Sequence, residues 1–174
     1  STQAFPIIGS SSPGFGANPY GPAVIINFDG STATIGSGPS SGPYDGSDDT
    51  YIGILNNSGS TLNSITLSGS YIFAFEGDGP SAGYGGPGPY GPTGYEGPGT
   101  TFTIIDYNNG IVNFTGGLGA GEQAWFTLEE NLTGTGTFSV TGTSSVPDGA
   151  STIALLGFGL VGLASLRRRF ASDR

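Results

Sequence analysis

The chain is built from short runs of β-branched and aromatic residues, each ended by glycine, asparagine or aspartate. Ile65 and Leu67, for example, alternate with Ser64 and Thr66. A two-residue period places one face of a strand on a core and the other in water, as in antiparallel sheets. We therefore expect an all-β fold, an antiparallel β-sandwich or jelly roll, with no helix before residue 145. The predicted strands are 23–28, 51–55, 61–67, 70–76, 100–106, 110–115, 122–129 and 135–142.

Segments rich in glycine and proline divide the chain around this predicted domain. Residues 1–22 read as an N-terminal arm or loop, and residues 23–142 as the β-sandwich. The segment 77–99, which is rich in Gly, Pro and Tyr, falls between two predicted strands, so it is a long loop within the domain. A loop of more than about 15 residues in a compact domain is usually functional or disordered. Residues 143–150 form a short polar linker.

An apolar segment near the C-terminus, residues 151–166, is followed at once by Arg167, Arg168 and Arg169. It is apolar all round, which a surface helix is not. As a helix it would span roughly 24 Å, which is short for a bilayer. Arginines next to a membrane span mark the cytoplasmic side. We therefore predict a transmembrane helix, an arginine-rich cytoplasmic tail over 167–174, and a β-domain outside the membrane.

The charge is strongly asymmetric, and several residue types are absent. The 174 residues contain thirteen acids and four basic residues, and all four bases are arginines within 167–174. A domain without cations repels phosphate backbones, so we expect no nucleic-acid partner. The chain has no His, Cys or Lys. It therefore lacks the usual catalytic bases, activated nucleophiles and zinc ligands. Carboxylate chemistry remains, but no spacing singles out a pair, and we expect no enzyme.

Calcium remains possible with this composition, because it needs only oxygen ligands. Asp45, Asp48 and Asp49 lie in a glycine-containing turn, and Glu76 and Asp78 lie where a predicted strand enters the long loop. Either group is a candidate calcium site. The alternative is plain turn chemistry, in which these side chains bond the nearby backbone. We predict no other cofactor.

Three tyrosines of the long loop, Tyr84, Tyr90 and Tyr95, together with Trp125, are candidates for stacking on sugar rings. An aromatic ring offers an apolar face and, in tyrosine, a polar tip. The alternative is that Trp125 belongs to a core strand and that the tyrosines pack over a sheet edge.

The C-terminal region resembles a known type of sorting tail. Val146-Pro147-Asp148-Gly149, a short apolar helix and an arginine cluster near the chain end follow one another. This order resembles the PEP-CTERM family, and more narrowly its variant that begins Val-Pro-Asp. The resemblance implies recognition by an exosortase, a membrane-embedded cysteine transpeptidase. That enzyme would cut near the proline motif and release the protein or attach it at the cell surface. Pro147-Asp148 replaces the family's usual Pro-Glu-Pro.

Three functional hypotheses remain open. The first is a structural protein of the cell surface or extracellular matrix, which contacts exopolysaccharide and forms oligomers or fibres through its sheet edges. The second is a surface module that binds carbohydrate or calcium. The third is a single-span accessory subunit of a membrane complex. All three place the domain outside the inner membrane, and the first expects delivery from there to the surface or matrix.

Overall fold

A computed structural model describes residues 22–38, 42–80, 90–132 and 138–145. These residues form eight strands in two four-stranded sheets. The all-β prediction is confirmed. The strands are β1 (Val24–Phe28), β2 (Ala33–Ser37), β3 (Thr50–Asn56), β4 (Thr61–Gly69), β5 (Thr100–Asp106), β6 (Asn109–Leu118), β7 (Gln123–Leu128) and β8 (Phe138–Ser145).

Several predicted segments lie outside the described residues. They are the arm before residue 22, the transmembrane helix 151–166 and the arginine-rich tail 167–174. Within the described ranges, no helix has the length and apolar character needed to span a membrane. The strand β8 continues to Ser145, so the linker predicted for 143–150 does not begin at 143.

The first sheet has the order β2-β1-β3-β7, and the second has the order β5-β6-β4-β8. The prediction of purely antiparallel sheets is wrong for one pair, because β1 and β3 run parallel, with Val24 opposite Ile52. The strand β2 ends beside Val24 at the start of β1, and β3 starts beside the same end of β1 on its other side. The acidic turn at 44–49, which leads into β3, therefore lies at this end of the first sheet.

The main core lies between the two sheets. The strand β1 contributes alternate residues, Val24, Ile26 and Phe28, which are all buried. This alternation is what a sheet with one face on a core requires. The rest of the buried cluster comes from both sheets and adjoining segments: Ile52, Ile54, Leu62, Ile65, Leu67, Ile72, Phe73, Val112, Phe114, Leu118, Ala124, Phe126, Leu128 and Leu132.

A bulge in β4 adjusts the pattern of inward side chains. Leu62 and Ile65 are three residues apart, yet both are buried. Leu62 lies opposite Ser144 of β8 and Ser64 lies opposite the adjacent Thr143, so the intervening Asn63 is accommodated as an extra residue relative to β8. A β-bulge shifts the alternation by one position. After it, the predicted alternation of Ile65 and Leu67 with Ser64 and Thr66 is confirmed.

The segment 70–76, predicted as a strand, is a turn. Tyr71 has a φ of 55°, and the Ala74 amide donates to the Tyr71 carbonyl at 2.9 Å. Ile72 and Phe73 are nevertheless buried. The Glu129 amide donates to the Ile72 carbonyl at 3.2 Å, so the segment joins the second sheet to the end of the first. The alternation of apolar residues here reflects burial at the end of the sandwich rather than pairing in a sheet.

The strand β2 was not predicted, although its turn carries a hairpin signal. Asp29 Oδ1 accepts hydrogen bonds from the backbone amides of Ser31 at 3.0 Å and Thr32 at 2.7 Å, and Gly30 has a φ of 101°. An Asp-Gly pair is a common hairpin turn because it tolerates positive φ. The strand is short and only half-buried at the sheet edge, so its composition shows little apolar character.

The outer face of the first sheet carries a smaller aromatic core. Tyr51 and Trp125 point away from the main core and are covered by the loops 42–49 and 90–97. The rings of Tyr44 and Tyr51 lie 4.7 Å apart between centroids, and those of Tyr51 and Trp125 lie 5.7 Å apart. These loops rest directly on β3 and β7, so they bring polar side chains to the ends of both strands.

Candidate functional site

Acidic side chains meet where β3 begins and β7 ends. Thr50 pairs with Leu128 in the antiparallel register, so Asp49 and Glu129 occupy the next positions along the two strands. One ligand oxygen from each of Asp48, Asp49 and Glu129 lies within 4.8 Å of the others. We call these three residues the acidic cluster. Like charges facing each other across a strand pair are destabilising, so a proton or a cation would stabilise the cluster.

Asp49 is the most deeply buried member, with 0% of its surface exposed. Its Oδ2 accepts a hydrogen bond from the Tyr44 hydroxyl at 2.7 Å, whereas its Oδ1 has no hydrogen-bond partner among the described residues. Burial raises the pKa of Asp49 to about 8, against the lowering effect of the Tyr44 hydrogen bond. The negative charges of Glu129 and Asp78 also raise this pKa.

Glu129 and Asp78 extend the network around Asp49. Glu129 is 5% exposed, and its Oε2 accepts from the Glu76 amide at 3.3 Å. Burial raises the pKa of Glu129 as well. The Tyr95 hydroxyl lies 2.6 Å from Asp78 Oδ1 and 3.3 Å from Asp49 Oδ2, and it has a single hydrogen to donate. The acidic cluster therefore has fewer hydrogen-bond donors around it than carboxylate oxygens.

The residues predicted as calcium ligands have different positions in the structure. Asp48 and Asp49 belong to the acidic cluster, and Asp78 is linked to Asp49 through Tyr95. Asp45 Oδ1 accepts from the amides of Ser47 at 3.0 Å, Asp48 at 3.2 Å and Asp49 at 3.2 Å, so this side chain forms the turn that the alternative interpretation expected. Glu76 supplies its backbone amide to Glu129. Calcium binding itself stays a prediction.

Glu129 was not predicted as a member of this site. It lies in sequence eighty positions beyond Asp49, in a different part of the chain from both predicted groups. Only the pairing of β3 with β7 brings the two carboxylates together. No local motif carries that information, because strand order and register are set by packing of the whole sandwich.

The three candidate sugar-stacking tyrosines have different surroundings. Tyr95 is 0% exposed, and its ring stacks on Phe75 at 4.2 Å. The reason is that the chain at 95–97 runs along β7, with the Thr127 amide donating to the Tyr95 carbonyl at 2.9 Å. Tyr90 is exposed and meets the edge of Trp125 at 5.7 Å. Tyr84 lies outside the described residues.

Two other tyrosines form an exposed aromatic surface. Tyr71 is 55% exposed and Tyr107 is 65% exposed, and their rings are stacked with centroids 6.4 Å apart. Beside them lies a cavity of about 490 Å³ whose lining includes Phe75, Ile104 and Asp106. Sequence reasoning missed this pair because Tyr71 was assigned to a strand and Tyr107 lies in the β5–β6 turn.

The C-terminal motif begins at the last residue of β8. The strand β8 pairs with β4 as far as Ser145, which lies opposite Thr61. The family model for the VPDSG-CTERM motif matches residues 145–170. The predicted motif residues 146–149 and the arginines 167–169 fall within this match, although they lie outside the described residues. No curated protein and no solved structure matches the chain.

After Ser145, the matched region reads Val146-Pro147-Asp148, in agreement with the name of the motif, and Gly149-Ala150 stand where that name has Ser-Gly. The resemblance stated from the sequence is therefore confirmed. A motif of this kind implies a processing enzyme of the exosortase type as a partner. The chain carries a VPDSG-CTERM motif at residues 145–170, a variant of the PEP-CTERM-like sorting signals, and this motif indicates an exported protein with a C-terminal sorting signal.

Proposed function

We propose that the β-sandwich is a structural protein of the cell surface or extracellular matrix, delivered there when an exosortase-type enzyme cuts its tail. The observation that carries this proposal is the position of the sorting motif, which starts at the last residue of β8. A cut at or after Val146 would leave all eight strands in the released part. The folded domain would then lose only the sequence used for sorting.

The tail would first hold the protein in the inner membrane. The apolar residues 151–166 would span the bilayer, and Arg167, Arg168 and Arg169 would stay on the cytoplasmic side. The β-domain would lie outside, where the processing enzyme acts before delivery to the surface or the matrix. The short apolar segment can span a bilayer because arginine side chains snorkel to the interface and the bilayer thins slightly.

An exposed sheet edge supports lateral assembly. The strand β5 is at the edge of the second sheet, and Ile105 on this strand is 62% exposed. An edge strand offers unpaired backbone groups to another chain, and apolar side chains on it favour that contact. Assembly of copies through β5 into oligomers or fibres, in contact with exopolysaccharide, would suit a matrix protein.

We also propose that the domain is not an enzyme. A raised pKa such as that of Asp49 is common among catalytic acids. Its carboxylate, however, is enclosed by Tyr44 and Tyr95, where a substrate has no access. The chain also has no His, Cys or Lys to act as base or nucleophile. A buried acid of this kind fits a binding or structural role better than a catalytic one.

The test is the intact mass of the protein in membrane and released fractions of cells that express the full chain. We expect a released form that ends near residues 146–149. Asp148→Ala should leave the full-length chain in the membrane, whereas Asp173→Ala removes the same charge outside the matched motif and should not. A wild-type chain found only in the membrane at full length would refute the proposal and favour the accessory-subunit hypothesis.

A second candidate function, carbohydrate binding, is favoured by the stacked Tyr71 and Tyr107 beside the cavity. Paired aromatic faces with nearby carboxylate and amide groups suit a sugar, whose ring has an apolar face and polar edges. Retention of the domain on exopolysaccharide from the expressing cells should weaken in Tyr107→Ser and persist in Tyr90→Ser. Equal retention of both variants would remove this candidate.

A further inference from the structure

We propose that the acidic cluster at the ends of β3 and β7 is a calcium site, with Asp48, Asp49 and Glu129 as its carboxylate ligands. The site goes beyond the proposed sorting and surface role, since it concerns what holds the domain together after export. Three features of the cluster support it: the spacing of its oxygens, a buried oxygen without a hydrogen-bond partner among the described residues, and the lack of any basic residue in 1–166.

The spacing of the ligand oxygens fits one ion. Calcium is bound by oxygens at about 2.3–2.6 Å, so two ligands on opposite sides of it are about 5 Å apart. The oxygens of Asp48, Asp49 and Glu129 all lie within 4.8 Å of one another. Each of the three can therefore reach a common centre without rearrangement of the backbone.

The second feature is Asp49 Oδ1. This oxygen atom is buried, since Asp49 is 0% exposed, and it has no hydrogen-bond partner among the described residues. Buried polar atoms are nearly always satisfied by a hydrogen bond, an ordered water or an ion. The other oxygen of the same carboxylate is held by Tyr44 at 2.7 Å, so the side chain is fixed in place with Oδ1 still available to a ligand.

The third feature is charge. Residues 1–166 contain no Lys, Arg or His. Asp45 and Asp78 add further negative charge close to Asp49, because both raise its pKa. The domain has no basic side chain that can neutralise the carboxylates of the acidic cluster, so a cation from solution is their natural counter-charge. The field of the whole base-free domain would draw cations toward it.

The ligand chemistry selects calcium among the common ions. Zinc prefers nitrogen and sulfur ligands, and the chain has no His or Cys. Magnesium demands near-ideal octahedral geometry and gives up its water reluctantly, so it usually binds through one or two carboxylates. Three carboxylates, two of them buried, suit the larger and more flexible shell of calcium.

A bound ion would join three parts of the fold. Asp48 and Asp49 lie on the turn that Asp45 organises, and Glu129 follows β7. Through its Oε2 Glu129 also holds the segment at Glu76, from which the long loop starts. Calcium would thus fix the loops that cover the outer face of the first sheet. Extracellular calcium modules commonly bind at about 10⁻⁴–10⁻³ M, which suits an exported protein.

The experiment uses the full chain, freed of metals with a chelator and then titrated with calcium chloride or terbium chloride. Tyr44 bonds a ligand residue directly and would act as the energy donor for terbium luminescence. We expect calcium at about 5 mM to raise the midpoint of thermal unfolding by about 5 °C. We also expect sensitised terbium emission that calcium displaces, and a much smaller effect with magnesium.

Asp48→Asn is the main variant because Asp48 is exposed, and the change should leave the metal-free domain folded. We expect its calcium affinity to fall at least about tenfold. Glu130→Gln removes the same charge next to Glu129 but outside the acidic cluster, and it should bind as the wild type does. The proposal is overturned if calcium gives no thermal shift, or if Asp48→Asn binds as tightly as Glu130→Gln.

Discussion

Replacement of Asn56 by alanine should show what joins the turns at one end of the two sheets. Asn56 is the last residue of β3, and its side chain is fully buried. Its Nδ2 donates to the carbonyl of Leu118 at 2.7 Å, at the end of β6 in the other sheet. Its Oδ1 accepts from the Ser58 amide at 3.0 Å and the Ser58 hydroxyl at 2.6 Å. One amide therefore holds a strand end of each sheet and the β3–β4 turn.

The loss in the free energy of unfolding can be worked out from the polar groups that lose a hydrogen-bond partner. In Asn56→Ala, the Leu118 carbonyl loses a buried donor and the Ser58 amide loses its acceptor. The Ser58 hydroxyl keeps a partner, because its single hydrogen can turn to the Ser60 carbonyl, 2.9 Å away. Leaving a buried polar group unsatisfied costs about 1–3 kcal/mol. We therefore expect the free energy of unfolding to fall by about 3 kcal/mol, a large part of the stability of a domain this size.

Asn56→Asp is a stricter test, because aspartate keeps the shape of the asparagine side chain but lacks the two N–H donors of its amide. An ionised carboxylate would face the carbonyl oxygen of Leu118, so the loss at neutral pH should exceed that of Asn56→Ala. At acid pH the protonated carboxyl regains one donor, and part of the loss should disappear. The pH dependence distinguishes a lost hydrogen bond from a simple packing defect.

The assay is urea unfolding followed by Trp125 fluorescence. The matched control is Asn57→Ala, since Asn57 is exposed and, among the residues that the structure describes, its side chain bonds Asn27 alone, at 3.2 Å. Removing this contact should cost about 0.5 kcal/mol or less. If Asn56→Ala loses no more stability than Asn57→Ala, then the buried amide of Asn56 does not hold the turns together.

Two further predictions concern the β8 strand and the acidic cluster. A Cβ at Gly142 would overlap the ring of Phe28, so Gly142→Val should lower the free energy of unfolding by about 2 kcal/mol, whereas Gly36→Val, which meets open space, should not. In the presence of a chelator, stability should fall as the pH rises from about 4 to about 8, because the folded domain holds the Asp49 proton with a pKa of about 8 against 3.8 for an ordinary aspartate. Asp49→Asn should flatten this profile in urea unfolding, and a wild-type profile that rises with pH would contradict the assignment.

The strands that were predicted well are those whose sequence alternates over a buried face. Ile65 and Leu67 in β4 were predicted correctly because their neighbours Ser64 and Thr66 are polar. The strand predicted over 100–106 is present as β5, but it lies at the sheet edge, and its Ile104 is 45% exposed. Edge strands bury little of either face, so their composition carries a weaker signal.

The acidic cluster was only half predictable for a physical reason. Asp48 and Asp49 stand out locally, because several acids in a glycine-containing turn are visible in the sequence. Glu129 does not, since it ends a strand of apolar residues and becomes a partner only through the β3–β7 register. The parallel β1–β3 pair was missed for a related reason. Which side of β1 receives β3 depends on the path of the crossing segment, not on either strand's residues.

Sorting and cation binding are connected through the charge of the chain. All four arginines lie in the tail, and residues 1–145 keep eleven of the thirteen acids, the others being Asp148 and Asp173. A cut near the motif would therefore release a domain with no positive side chain. Its self-repulsion would be larger than that of the full chain, and only ions from the surroundings could offset it. If the tail is removed, a calcium ion between β3 and β7 would neutralise the most deeply buried part of this charge.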